Sequence, residues 1–141
     1  MLLDTNVLSE LMRPQPAQAV LAWFARQAQV QVAHFISAVT EAEILLGIER
    51  LPEGQRKSAL SQAAQAMFAT EFKGQILPFD HGTAQVYAQI VAGRTAQGRP
   101  IATEDAQIAA TARQHGLPLV TRNTRDFEHI PHIQLINPWI L

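Results

Sequence analysis

The chain has 141 residues, 48% hydrophobic and only 16% charged, with 11 basic against 12 acidic residues, a formal charge of -1 and no cysteine. These values suit one domain over 1–141 with a real core, and they exclude disulfide or thiol chemistry and any global basic field that would draw in nucleic acid. No apolar run is long enough to span a membrane and the opening lacks the layout of a signal peptide. The expectation is a cytoplasmic protein without membrane contact, in which low charge leaves one face suited to an interface.

Met1-Leu2-Leu3 runs into Asp4-Thr5-Asn6, which reads as a short buried strand ending at Asp4 and turning into a helix marked by Val7, Leu8 and Leu11. Pro14 and Pro16 stop that helix and start the next. Residues 17–31 carry Val20, Leu21, Phe24 and Ala28 at helical spacing, with Trp23 beside the stripe. Residues 32–36 read as a second strand. Residues 37–50 form a helix with Ile44, Ile48 and Leu51 on one face, broken by Pro52-Glu53-Gly54. An Ala-rich helix over 55–72 follows, with Leu60, Ala63, Ala64, Met67 and Phe68, then a third strand over 75–79. After Asp80 and His81 a helix runs to about Gln97. Beyond the Gly98-Arg99-Pro100 turn another ends at His115-Gly116, with Gly116 as its stop. Residues 117–121 form the fourth strand, 122–127 a loop with a helical turn, and 133–136 a last short strand. Short apolar strands alternating with helices predict a three-layer α/β/α fold. Its centre is a mainly parallel sheet of four to five strands, with the 37–50 and 55–72 pair as an inserted helical hairpin.

Four acids attract attention. Asp4 stands at a strand's carboxyl end, where parallel sheets bind ligands, although Asp is also a favoured helix cap. Glu43 has two readings. Thr40 and Glu43 show the spacing of a capping box, but a helix starting at Ser37 places Glu43 in the second turn, on a face with Leu46 and Gly47. Asp105 shares its helix face with Ile108, Ala109 and Ala112, so it points inward near a helix start, while Glu104 points outward. Dipole stabilisation explains an acid at a helix start but not one on the apolar face. Asp126 lies beyond the fourth strand, where Asn123 can form an Asx turn. Gathered in one cleft, such carboxylates repel unless a cation neutralises them, and hard oxygen ligands suit Mg²⁺ or Mn²⁺. The chemistry to expect is metal-assisted phosphodiester hydrolysis, with the metal supplying the positive field that the chain lacks.

Leu3-Asp4-Thr5-Asn6; Ser37-Ala38-Val39-Thr40-Glu41-Ala42-Glu43-Ile44 with Gly47; Gly98-Arg99-Pro100 with Asp105, Ile108, Ala109 and Ala112; and Leu119 to Phe127 occur in this order over nearly the whole chain. Together they resemble a PIN domain, and more closely the toxin nucleases of VapC/FitB type. The resemblance implies that Asp4, Glu43 and Asp105 surround Mg²⁺ or Mn²⁺ and that Glu43, rather than Glu41, is the functional acid. It also implies that a variable fourth position falls on Asn123 or Asp126, and that Thr5, Asn6 and Thr121 support the site. It implies further an endoribonuclease, a small cognate antitoxin whose tail fills the groove and brings an Arg to the acids, a homodimer, and operator DNA bound only through the complex.

Arg13, Arg94, Arg99, Arg122 and Arg125 are candidate RNA-backbone contacts, with Arg122 and Arg125 first because they flank the fourth acidic position. The histidines have no zinc-ligand spacing, and Trp23 and Trp139 read as core or interface. Two rival readings exist. An Asp-dependent phosphatase or phosphotransferase wants a second acid where Asn6 stands, or a late Lys, and no Lys follows Lys73. A catalytically silent module would use the acids only to capture an Arg-bearing partner. No phosphate-binding glycine motif is present.

Overall fold

The side-chain alternation of two-residue strands sets the layers. Successive strand residues point to opposite faces of a sheet, and here both faces are dry. Leu2 and Leu119 enter one core with Ile90, Ile108, Ala109, Ala112 and Phe127. Leu3 and Val120 enter the other with Val7, Leu8, Trp23, Ile36, Ile44 and Ile48. The computed structural model describes residues 1–140 and has helices on both faces of its sheet.

In chain order the elements are β1 (Leu2–Leu3), α1 (Thr5–Leu11), α2 (Gln18–Gln29), β2 (Ile36–Ser37), α3 (Ala38–Glu49), α4 (Gln55–Ala66), β3 (Ile76–Leu77), α5 (His81–Ala96), α6 (Thr103–Gln114), β4 (Leu119–Val120) and β5 (Leu135–Ile136). β1 pairs with β4 and β4 with β5, while β2 pairs with β3, all in parallel. A parallel bridge from Leu2 to Phe35 joins the two groups, giving the order β3-β2-β1-β4-β5. The chain moves outward from β1 through β2 to β3, then crosses to β4 on the other side. The boundary between β1 and β4 is therefore the switch point, where ligands bind beyond the strand ends. No helix among the described residues is long and apolar enough to cross a membrane.

The expected elements are present, but the strands expected over 75–79, 117–121 and 133–136 shorten to two residues each, and three further details differ. The second strand begins near Phe35 rather than Val32, because a turn with Gln31 at φ 52° ends the stretch after α2. The buried face of α2 is Val20 and Trp23, with Leu21 45% exposed; the large indole takes the core position that the spacing assigned to Leu21. The long 55–72 helix changes at Met67–Glu71 to a π-helical turn, which seats Met67 and Phe72 in the core. The stop after α6 is as expected. Gly116 has φ 63°, and Leu117 N donates to Ala112 O at 2.9 Å while Gly116 N donates to Arg113 O at 3.2 Å, a Schellman turn.

Candidate functional site

Asp4 directly follows β1 and is buried at 4% exposure. It caps α1: its Oδ1 accepts from Thr5 N at 2.8 Å. Its Oδ2 accepts from Thr121 Oγ1 at 2.8 Å and from Asn6 Nδ2 at 3.1 Å. The cap and the site are thus one arrangement, because the cap fixes the carboxylate at the switch point. Thr121, at the end of β4 and fully buried, is the hub. Its hydroxyl donates to Asp4 and accepts from Asn6 Nδ2 at 3.2 Å and from Asn123 N at 3.0 Å.

Glu43 lies in the second turn of α3. Ser37 caps that helix by accepting from Val39 N at 3.0 Å, so the capping-box reading with Thr40 as N-cap does not hold. Glu43 Oε1 instead accepts from Thr5 Oγ1 at 2.7 Å, and Thr5 Oγ1 also lies 3.1 Å from the buried Thr40 Oγ1. The Leu46 and Gly47 side of the helix is exposed rather than core. Asp105 is half-buried in the first turn of α6, above the fully buried Ile108, Ala109 and Ala112, while Glu104 is exposed.

Asp4, Glu43 and Asp105 line one open pocket of about 500 Å³ with Thr5, Asn6, Ser9, Glu10, Arg13, Arg122, Asn123 and Trp139. Asp126 and Arg125 are exposed and do not line it. The Asp126 charge nevertheless reaches Asp4 and Asp105. Of the two candidates for the fourth position, Asn123 is at the pocket wall and Asp126 acts on it only through its field.

The electrostatics follow from crowding. Burial pushes the Asp105 carboxyl up to about 6, and the charges of Asp4, Asp126, Glu43 and Glu104 add to that. Burial also raises Asp4, against the hydrogen bonds from Thr121 and Thr5, with Glu43 and Asp126 raising it further. These groups favour any cation that shares their oxygens. The carboxylates are spread along the wall: among the described residues no three His, Cys, Asp or Glu side chains form a closed metal-binding group.

Two residues near the acids escape sequence reasoning. Glu10 is buried at 6% exposure. Its Oε1 accepts from Ala17 N at 3.0 Å and its Oε2 pairs with Arg13 at 3.1 Å. These bonds, led by the Ala17 amide, hold its carboxyl below the usual range. The face-sharing test that singles out Asp105 also finds Glu10, three residues after the buried Val7. Trp139 offers no such signal, since only the fold brings it under Arg122, whose guanidinium lies 5.3 Å from its ring centroid. One candidate RNA contact is corrected. Arg94 is buried and donates to the carbonyls of Arg99, Asp126 and Glu128 at 2.8–3.2 Å, so it ties the 126–128 loop to α5 and is not free for a phosphate.

An apolar groove of about 720 Å³ adjoins the acidic pocket, with Thr5, Ser9, Arg13 and Glu43 common to both. Its walls include Met12, Pro14, Ile44, Ile48, Leu51 and Leu60.

Comparison with known proteins agrees with this fold. The PIN domain family model matches residues 1–133. The chain is 42% identical to toxin FitB of Neisseria gonorrhoeae over 98% of its length and 97% of that protein. It is 38% identical to VapC ribonuclease Y4jK of Sinorhizobium fredii, covering 97% and 96% of the two chains. It is also 32% identical to the tRNA(fMet)-specific endonuclease VapC of Shigella flexneri, covering 92% and 90%. Among solved structures, the FitAB complex bound to a DNA fragment contains a chain that superposes with a TM-score of 0.88 at 40% identity, covering 99% of this chain and 96% of that one. With the fold, the strand-end pocket and the family model in agreement, this chain belongs to the PIN-domain family.

Proposed function

We propose that this protein is an endoribonuclease, the toxin of a toxin–antitoxin pair, and that Asp4, Glu43 and Asp105 hold Mg²⁺ or Mn²⁺ for RNA phosphodiester hydrolysis. The observation that carries the reading is the meeting of three acids from β1, α3 and α6 at the switch point of the sheet. The ribonuclease and endonuclease names of the relatives support the reaction class.

The donor set fits a hard divalent cation, since every candidate ligand is a carboxylate or carbonyl oxygen and the raised carboxyls relax when a cation is shared. When bound, such an ion supplies a water of lowered pKa and charge stabilisation at the phosphate. The chain's own residues do the rest. Thr121, Asn6 and the Thr5 amide hold Asp4 in one orientation. The Thr5 hydroxyl holds Glu43. Asp105 is the acid least compensated by hydrogen bonds, and burial first, then the charges of its neighbours, raise it toward neutrality, so a shared cation favours its charged form. Asn123 offers a carbonyl at the wall, and Asp126 adds field from outside. Arg13 and Arg122 at the rim meet the RNA backbone.

The FitAB complex on DNA supports an antitoxin partner and operator binding through the complex. The apolar groove suits an amphipathic helical segment, from which one cationic side chain reaches the acids. A homodimer completes the reading. The test is to incubate the partner-free protein with total cellular RNA and Mg²⁺ or Mn²⁺ and map new RNA ends. Discrete cuts that vanish with EDTA and with Asp105→Asn are expected. A folded protein that cuts no RNA overturns the reading in favour of a silent module that captures an Arg-bearing partner.

A further inference from the structure

Arg122 stands at the rim of a pocket that contains Asp4, Glu10, Glu43 and Asp105, and its charge is felt by Glu10. A long flexible cation in such surroundings tends to fold onto the nearest carboxylate. Yet among the described residues Arg122 makes no ion pair; the pairs found are Arg13 with Glu10 and Lys57 with Glu53. Its guanidinium instead lies over the Trp139 ring at 5.3 Å, within the range of a cation–π contact.

The contact is built rather than incidental. Arg122 N donates to Asn6 Oδ1 at 3.2 Å, and Arg122 O accepts from Asn137 Nδ2 at 3.2 Å. The other atom of the same amide, Asn137 Oδ1, accepts from Trp139 N at 3.0 Å. One side chain thus registers the Arg122 and Trp139 segments against each other, and Asn6 ties both to the Asp4 network. Trp139 is half-buried against the core, so its position is set by packing. The Glu10 carboxylate is already engaged through both oxygens, which removes one competing partner for Arg122.

We propose that Trp139 is a positioning residue. It holds the Arg122 guanidinium away from the acidic wall, with its N–H groups open to a backbone phosphate of single-stranded RNA next to the carboxylates. The device prevents the protein's own cation from neutralising the acids and keeps it where the substrate's charge arrives. The inference rests on the ribonuclease reading but concerns RNA binding, which is measured without cleavage.

The experiment follows binding of a fluorescein-labelled single-stranded RNA in EDTA by anisotropy, at several salt concentrations, for the wild type, Arg122→Gln, Trp139→Leu, Trp139→Phe and the Arg122→Gln/Trp139→Leu pair. Arg122→Gln is expected to weaken binding about fivefold and to lower the log–log salt slope by about 0.7, the value of one phosphate contact on a single strand. Trp139→Leu should do nearly the same, Trp139→Phe should recover most of it, and the double variant should bind no more weakly than Arg122→Gln alone. Wild-type indole emission supplies a reading that needs no Trp139 variant to fold. RNA should shift it, because Trp23 is buried at 3% exposure and only Trp139 sits in the pocket, and the shift should shrink in Arg122→Gln. Multiplying effects of the two substitutions, an unchanged slope in Trp139→Leu, or an unmoved indole emission overturns the inference. If the wild type still cuts RNA in any of these cases, the ribonuclease reading survives. If the wild type neither binds nor cuts RNA, both fall.

Discussion

At the residue scale, the site depends on the hydrogen bonds that hold Asp4. Thr121 is the most exacting position, since its one hydroxyl donates to Asp4 and accepts from Asn6 and the Asn123 amide. Thr121→Val keeps the shape and strands the buried Asp4 carboxylate, the half-buried Asn6 amide and the Asn123 N–H. It should cost about 2 kcal/mol, a fall in Tm of roughly 5 °C. Denaturant melts that leave stability unchanged contradict the hub role. Asp105 works in the opposite sense. Its folded carboxyl stands near 6 against an ordinary 3.8, so its ionisation opposes folding. A raised carboxyl contributes stability below the unfolded value and loses it as pH rises through the folded one. In metal-free protein Asp105→Asn should therefore stabilise. The gain should open between about pH 4 and 6 and stay level above, the window set by the two values. Two units correspond to about 2.7 kcal/mol, but the group is half-exposed and screening leaves about 1 kcal/mol. Thermal melts across pH check this, and a loss of stability at pH 8 contradicts it. The inward acid at Asp105 was legible in the sequence because helical spacing put it above Ile108, Ala109 and Ala112. The Trp139–Arg122 contact was not, because no local periodicity encodes a meeting of residues brought together only by tertiary packing.

At the element scale, helix starts decide which acids reach the pocket. The cap of α3 at Ser37 rather than Thr40 is what moves Glu43 into the second turn and toward Thr5. Local spacing left both starts open; the pairing of β2 with β3 ends the strand at Ser37 and selects one. Asp80 shows the contrary case. It follows a strand as Asp4 does, but it caps α5 in a capping box with Thr83 and takes no part in the pocket. Hydrogen bonds from Gln114 and Thr83 hold its carboxyl down to about 2 from 3.8. A depressed carboxyl contributes stability above the unfolded value that is lost as pH falls through the folded one. Asp80→Asn keeps a capping oxygen and removes the charge. The Tm advantage of wild type over this variant should be constant above pH 5 and disappear between about pH 4 and 2, the interval of those two values. An advantage that persists unchanged at pH 2 contradicts the assignment. Strand boundaries were the least legible part. Strands of two residues carry too little pattern to set their own ends, and the neighbouring hydrogen-bonded register sets them instead.

At the scale of the whole molecule, topology turns scattered residues into one site. Asp4, Glu43, Asp105 and Thr121 are spread over most of the sequence, yet the β3-β2-β1-β4-β5 order brings the ends of β1 and β4 together and α3 and α6 above them. The alternation of strands and helices made this architecture legible, and the carboxyl-end rule then pointed to the edge that matters. The composition also hinted at an interface through its low charge. Only the fold shows a groove that runs apolar from Leu60 and Ile48 to Glu43 and opens on the acids. A net charge of -1 gives RNA no long-range attraction to the chain, so the account leaves contact to the arginines at the pocket rim and the chemistry to a local cation among the acids. Binding of Mn²⁺ measured by the electron paramagnetic resonance of the free ion tests that claim most directly. The account expects wild type to take up Mn²⁺ near neutral pH, and Asp4→Asn and Asp105→Asn to bind at least tenfold more weakly while remaining folded. Equal Mn²⁺ binding by wild type and both variants, or none by the folded wild type, would contradict it.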